Sequence, residues 1–547
     1  MKPTSASPAH ASQKSAGKVF FSGVLVLALS TVTVKLIGLL LKILLFDYLG
    51  EDGMAYFNAA YTIYAAFFIL STAGFPVAVS IMISESRARG DTRRVRQIFW
   101  IALALFVVIG FAGTAILFGG ADFFAARMDM AGAAPAIRAI GPTLFFICIS
   151  SAIRGYFQGH QVMLPTGISQ ILESAGKLFI GLTLAKYAIS RGYDTPTVAA
   201  YAITGLTVGV AVSMLFLVAT RLLYRPRSEL ERENPTERNG AILRRLIAIA
   251  VPVTISALVQ SLTQLIDTML IVNRLQDAGF YASVAERMYG NYSTLVIPLF
   301  NLPPALINPI SLALVPMLTL AIQSGNRTRM REVMDSALRL AILVAMPCAV
   351  GLSVFSRQIL ELLFPGKTES IAMAAPLLSL LSLSIFFVGL SSVTNGILQA
   401  YGHERKPIYS MLAGSGVKLV VSYLLIAVPA VNLYGAPIGT FLCHITVTTV
   451  NFCFIAKYTG DLAGVRHLFA KPLIASLTAV GGALGLYLLI GSALGTSRLL
   501  TVLAILTAVL LYALLVLLLR AVSETDVQML PGGEKIARLL KRMKLLK

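Results

Sequence analysis

Ser150 to Leu178 reads SSAIRGYFQGHQVMLPTGISQILESAGKL, and Ser391 to Leu419 reads SSVTNGILQAYGHERKPIYSMLAGSGVKL. The two stretches share a plan at one constant offset. Ser150 and Ser151 answer to Ser391 and Ser392, Gly155 to Gly396, Gln158 to Gln399, Ser174 to Ser415 and Lys177 to Lys418, while Pro165 and Pro407 sit one residue out of step. An echo at this distance, inside apolar helical sequence, is the internal symmetry expected of a membrane transporter assembled from two structural repeats.

Composition points to the same class. Hydrophobic residues make up 57% of the chain and charged residues only 13%, and the mean hydropathy is +0.80. Charged residues alone are roughly a quarter of an ordinary soluble chain. The sequence therefore reads as an all-α polytopic membrane protein. Its formal charge of +20 is first a matter of topology and anionic lipid, so no nucleic-acid partner is implied. Cys148, Cys348, Cys443 and Cys453 all lie in apolar segments with no C-x-x-C spacing, and His10, His160, His403, His444 and His467 are scattered. No metal, cofactor or disulfide framework is implied.

Residues 1–18 form a polar N-terminal tail. Apolar runs then follow at about 19–45, 56–83, 98–118, 139–158, 165–189, 198–223, 246–272, 294–320, 338–355, 371–399, 407–428, 436–456, 472–491 and 498–521. About fourteen transmembrane helices result, each near the ~20 residues a bilayer demands. The expected organisation is an N-lobe at 19–224, an inter-lobe linker at 225–245, a C-lobe at 246–457, two additional helices with their preceding loop at 458–521, and a basic tail at 522–547. In that tail, GEKIARLLKRMKLLK at 533–547 places Ile536, Leu539, Leu540, Met543 and Leu546 on one face among Lys and Arg. That pattern suits either an inner-leaflet helix or a solvated tail.

Lys and Arg collect in alternate loops: Arg87 to Arg96, Arg225 to Arg245, Arg327 to Arg331, Arg405 with Lys406, and Lys457 to Lys471. The opposite loops mix signs. Both termini are therefore expected on the cytoplasmic side of the membrane. Six spans separate the two copies of the repeat, and an even number preserves direction through the bilayer. Two parallel six-helix repeats around a central cavity are expected, with the last two helices outside the repeat.

Ionisable residues at bilayer depth are expensive and mark a pathway or a partner. Here they are mostly basic: Lys35, Lys42, Arg154, Lys177 and Lys418, against Glu173 and Asp267. Each carries a plainer reading beside the functional one. Lys42 and Arg154 are near enough to helix ends to snorkel. Lys177 can neutralise Glu173 one turn before it, and Asp267 suits a cation site, a basic partner or a helix-end polar group. Lys35 and Lys418 have no obvious partner on their own helices, and a cavity-facing role is expected for them.

A cavity lined by ammonium and guanidinium groups suits an anion, and best an anionic headgroup whose lipid tail stays in the bilayer. Breakers at Gly74 and Pro76, and at Pro298, Pro303, Pro304, Pro309 and Pro316, would let such a cavity open alternately. A multidrug-type antiporter would need acids where this chain has bases. A membrane transferase would need a carboxylate cluster for a metal, and none is present in the sequence.

AGFPVAVS at 73–80 with ISES at 83–86, RGYFQGHQVMLPTGISQILE at 154–173 and GILQAYGHERKPI at 396–408 resemble the stage V sporulation protein B group of polysaccharide-biosynthesis flippases. The resemblance implies export of a lipid-linked cell-wall precursor, with lipid II as the implied cargo and the spore cortex as a possible destination. It also extends to the MurJ-like lipid II flippases. Lys35 and Gly38 match in kind their first-helix Arg and Gly, whereas Leu41 and Lys42 stand where an Arg-Asp pair would be. Asp267 and Thr268 match an Asp-Thr pair of the seventh span. The arginine opening their eighth span has no counterpart in YGNYSTL at 289–295. Implied partners are a lipid-linked anionic oligosaccharide and membrane lipid, with the coupling ion open. Alternatives are a cation-coupled multidrug antiporter of the same superfamily and a flippase for another polysaccharide unit.

Overall fold

A computed structural model describes residues 8–72, 74–224, 238–459, 465–494 and 497–522. Among them every regular element is helical. In chain order they are α1 (Pro8–Thr72), α2 (Phe75–Ala88), α3 (Thr92–Gly119), α4 (Ala121–Arg127), α5 (Ala134–Ile140), α6 (Thr143–Gly159), α7 (Leu164–Ser190), α8 (Thr195–Leu223), α9 (Asn239–Asp277) and α10 (Ala282–Asn291). There follow α11 (Ile297–Phe300), α12 (Leu302–Gln323), α13 (Arg327–Val354), α14 (Ser356–Leu363), α15 (Thr368–Ser382), α16 (Ser384–Ala400), α17 (Lys406–Ile426), α18 (Gly435–Thr459), α19 (Val465–Leu494) and α20 (Arg498–Leu518). The basic helix expected at 533–547 and most of the expected 225–245 linker lie outside the described residues.

Nine segments among the described residues are long and apolar enough to cross a bilayer. The other five expected crossings fall on the two parts of α1, on α7, on α9 and on α11 with α12. Large apolar side chains such as Phe111, Phe118, Phe179, Leu489 and Leu510 are exposed. In a water-soluble protein such a surface would be an association hazard. Here it is the lipid-facing coat of a multi-pass membrane protein.

Packing divides the chain into two compact units, Met1–Met269 and Leu270–Lys547. In the first, α1 runs 65 residues and breaks helical geometry at Gly50, with φ 64° and ψ −166°. The left-handed φ there suits a residue without a Cβ. Antiparallel α7 and α8 approach at backbone distance. A Cβ on Gly209 would meet Glu173 O and Lys177 N, and one on Gly205 would overlap the Gly181 backbone. Gly205 and Gly209 are a small-x-x-x-small pair, the spacing by which membrane helices come close when no water is available to drive them together. Where α2 meets α6, Gly155 faces Pro76 and Gly159 faces Ile83, and Ser84 Oγ donates to the Gly159 carbonyl at 3.0 Å.

The second unit restates this plan. α16 begins and ends at the offset that carries Lys177 to Lys418, so it matches α6 residue for residue. Gly396, the counterpart of Gly155, faces Ser311 of α12, and Ser311 Oγ donates to the Ser392 carbonyl at 2.7 Å. Even the helix-ending turn is duplicated. Gln161 N and Val162 N bond the carbonyls of Gln158 and Phe157, and Gly402 N and His403 N bond those of Gln399 and Leu398. The left-handed residue is Gln161 in one turn (φ 59°) and Gly402 in the other (φ 76°). α19 and α20, outside the repeat, pack on α13 and α14 through Phe355, Tyr487 and Leu500, and Tyr512 Oη donates to the Leu343 carbonyl at 2.8 Å.

α3 starts at an arginine-rich turn and is held there by its cap. The Asp91 carboxylate accepts from Arg94 N at 2.9 Å, satisfying one of the four donors that open a helix. Asp91→Ala is expected to cost about 1 kcal/mol and Asp91→Asn a few tenths. Thermal unfolding in detergent reads the difference, and equal loss in both variants would show that charge rather than capping matters.

Candidate functional site

The first unit brings Arg154 and Lys177 to Glu173, with Lys42 within electrostatic reach of Lys177. Arg154, on α6, is only 8% exposed and points into the unit instead of snorkelling outward. Its Nε donates to Ser169 Oγ on α7 at 3.0 Å, one terminal nitrogen donates to Glu173 Oε2 at 3.1 Å, and the same nitrogen reaches Ser213 Oγ on α8 at 3.4 Å. Ser213 Oγ in turn donates to the Ser169 carbonyl at 2.8 Å. The fork thus ties three helices together, as a bidentate-capable planar cation can.

Glu173 makes this ion pair across helices rather than with Lys177 one turn along. The Lys177 ammonium rests 4.0 Å from the centroid of the Tyr61 ring and 5.7 Å from that of Phe57, both on α1. A ring face offers a cation roughly 0.5–2 kcal/mol, without neutralising it. Lys42, on the far side of the Gly50 break, is within electrostatic reach of Lys177, and Glu173 is within reach of Tyr61 and Tyr64. Phe57, Tyr61, Tyr64 and Phe68 recur at helical spacing, with Tyr61 and Tyr64 at 6.0 Å and Tyr64 and Phe68 at 5.9 Å. Sequence reasoning passed over this row, although its spacing on one helix face was a visible signal. Ser169 and Ser213 had no such signal. Lys35 lies on α1 outside this group and is half-exposed. Asp267, on α9, is 7% exposed beside Thr268, whose hydroxyl returns to the Gln264 carbonyl at 3.1 Å.

Lys418 in the second unit has different company. It is 2% exposed, and packs where a Cβ on Gly439 of α18 would touch its Cγ and overlap Ser422 Oγ. Its ammonium is within electrostatic reach of His444. Ser415 Oγ, Ser422 Oγ, Thr440 Oγ1 and His444 Nδ1 are buried here and find no hydrogen-bond partner among the described residues. The positions equivalent to Arg154 and Glu173 are Asn395 and Gly414. Asn395 Oδ1 accepts from Asn451 of α18 at 2.8 Å, so a neutral bridge replaces the charged one. No group of three or more potential metal ligands occurs among the described residues.

Comparison with known proteins adds relatives to this geometry. The profile of the family described as polysaccharide biosynthesis protein matches residues 20–322, and that of MatE matches residues 252–424. Stage V sporulation protein B of Bacillus subtilis (strain 168) is 26% identical over 449 residues, covering 81% of this chain and 84% of that protein. Lipid II flippase MurJ of the same organism is 25% identical over 454 residues, covering 80% and 82%. A solved structure of lipid II flippase MurJ in an inward closed conformation has a TM-score of 0.68 at 14% identity, covering 90% of this chain and 98% of that one.

Proposed function

This chain belongs to the polysaccharide biosynthesis protein family, and from that premise we propose that it exports a lipid-linked, anionic cell-wall precursor across the bacterial plasma membrane. It is a multi-pass membrane transporter related to flippases, not an enzyme. The proposed cargo is a polyprenyl-pyrophosphate saccharide, with lipid II the first candidate and spore cortex peptidoglycan a candidate destination. Both termini would face the cytoplasm, and the two repeats would give alternating access.

One observation carries the reading: the Arg154 guanidinium holds the Glu173 carboxylate, while the Lys177 ammonium rests on the Tyr61 ring with Lys42 within electrostatic reach of it. A basic group of this kind is suited to a phosphate or pyrophosphate, which would exchange hydration for charge-assisted hydrogen bonds. Lys177 is proposed as the principal contact and Lys42 as its companion. Lys35 and Asp267 would act along the same path, and Lys418 would act as a fixed charge in its own repeat.

A lipid II accessibility assay in vesicles tests this. Lys177→Ala and Lys42→Ala are expected to lower outward exposure at least about tenfold, the loss of one charge-assisted contact of roughly 1.5–3 kcal/mol, with Lys177→Arg retaining most of it. Unchanged exposure in both alanine variants at normal protein levels would sink the assignment. The MatE match over residues 252–424 favours a second reading, a cation-coupled multidrug antiporter. Efflux of a cationic dye that disappears in Asp267→Asn, with lipid II exposure intact, would select it.

A further inference from the structure

At the end of the first unit that carries Arg87, Arg89, Arg93, Arg94 and Arg96, the ends of α2, α6 and α8 converge on the start of α3. The close crossing of α2 and α6 at Gly155 and Gly159 brings the last turn of α2, with Arg87, against the turn after α6. In that turn His160 is 6% exposed, its Nδ1–H donating to the Tyr156 carbonyl at 2.9 Å. The imidazole lies 4.2 Å from the Tyr156 ring and meets Tyr224 edge-on at 5.9 Å. Arg221, in the last turn of α8, lays its guanidinium 4.1 Å from the Tyr156 centroid and 5.2 Å from that of Phe99.

This cluster is built for a negative group that the described residues do not supply. Stacking on rings uses the faces of a guanidinium and leaves its N–H groups directed outward in the plane. The buried Nε of Arg221 finds no acceptor among the described residues, a costly state for a charged donor. Among the described acids of this end, Glu85 pairs with Arg245 at 2.6 Å and Asp91 caps α3. The charges that act on His160 are Arg87 and Arg221. Burial lowers its proton affinity, the bond to the Tyr156 carbonyl partly restores it, and the two guanidinium groups lower it further, so the ring adds no positive charge of its own at neutral pH.

We propose that Arg221 and Arg87, walled by His160, Tyr156 and Tyr224, form a seat for a phosphate ester at the arginine-rich face of the membrane, drawn from an anionic phospholipid headgroup. Leu222 and Leu223, next to Arg221 in sequence, are 79% and 83% exposed, which sets acyl chains beside the seat. A basic pocket between helix ends on the cytoplasmic side is the form such headgroup sites take. The described residues of the second repeat are arranged differently. There His403 packs on Tyr458 at 3.9 Å and the single ammonium of Lys406 is shared among Phe454, Tyr409 and Tyr458, with Glu404 in the same turn.

Native mass spectrometry of the delipidated full chain, titrated with phosphatidylglycerol or phosphatidylcholine, tests the seat. The wild type is expected to retain one phosphatidylglycerol that Arg221→Gln and Arg87→Gln each hold about tenfold more weakly, while Arg96→Gln, an exposed arginine nearby, changes nothing. Displacement of that lipid by millimolar inorganic phosphate supports the phosphate seat and identifies free phosphate as a second source. Equal weakening in Arg96→Gln reveals a diffuse charged face and overturns the proposal, as does equal retention of the two lipids by the wild type. Because Arg221 also packs on two rings, the Arg87→Gln result stands on its own if Arg221→Gln fails to fold.

Discussion

Replacing Arg154 with methionine is expected to destabilise the first unit by about 3–5 kcal/mol, the range found when one partner of a buried ion pair is removed. The Arg154 side chain is 9% exposed and that of Glu173 21%, so what remains is an acidic side chain, mostly buried, with its principal cation gone. Two serines also lose their donor. Glu173→Gln should cost less, since an amide oxygen can still accept from the fork. The informative variant is the double one, Arg154→Met with Glu173→Leu, which removes both charges as the second repeat has done at Asn395 and Gly414. It is expected to be more stable than Arg154→Met alone. Unfolding in detergent followed by tryptophan-independent probes, such as thiol exposure of buried Cys148, gives the ranking; a double variant no better than the single would refute the pairing argument.

Gly205→Val should be the most damaging change at a helix contact. A Cβ there already overlaps the nitrogen and Cα of Gly181, both backbone atoms that cannot swing aside, so α7 and α8 must separate. Overpacking of this kind costs typically 1–3 kcal/mol and occasionally more, and a branched side chain at a backbone contact belongs at the upper end. Gly351 and Gly485 have nothing within 4 Å of an added Cβ. Alanine at either is expected to be neutral or to stabilise by up to about 1 kcal/mol through helix propensity. Recovery of monodisperse protein after heating separates the two classes, and tolerance of Gly205→Val would show that the helices are not locked at that contact.

The repeat was legible because it is written in residue types that geometry demands: Gly155 and Gly396 each admit a crossing helix, and the turns after α6 and α16 close with the same backbone bonds. Basic residues at bilayer depth were legible by their cost. Their partners were not. Helix spacing alone offered Lys177 to Glu173, whereas the ion pair runs from α6 to α7, a relation between helices that spacing along one helix does not show. Lys418 looked equivalent to Lys177 in sequence, yet one ammonium lies on an aromatic face and the other within electrostatic reach of His444, because the rings come from α1. A break between the first two apolar runs was expected, and it falls at Gly50, where the backbone leaves the helical region and two helices meet at a kink.

That deviant residue has a mechanical consequence. Lys42 precedes it, and Phe57 and Tyr61 follow it, so one helical arm carries an ammonium and the other the aromatic rest for Lys177. Flexing at the joint alters the spacing of the two lysines while the tyrosine can stay seated on Lys177. The bend of α1 at Gly50 therefore sets how near the two ammonium groups stand.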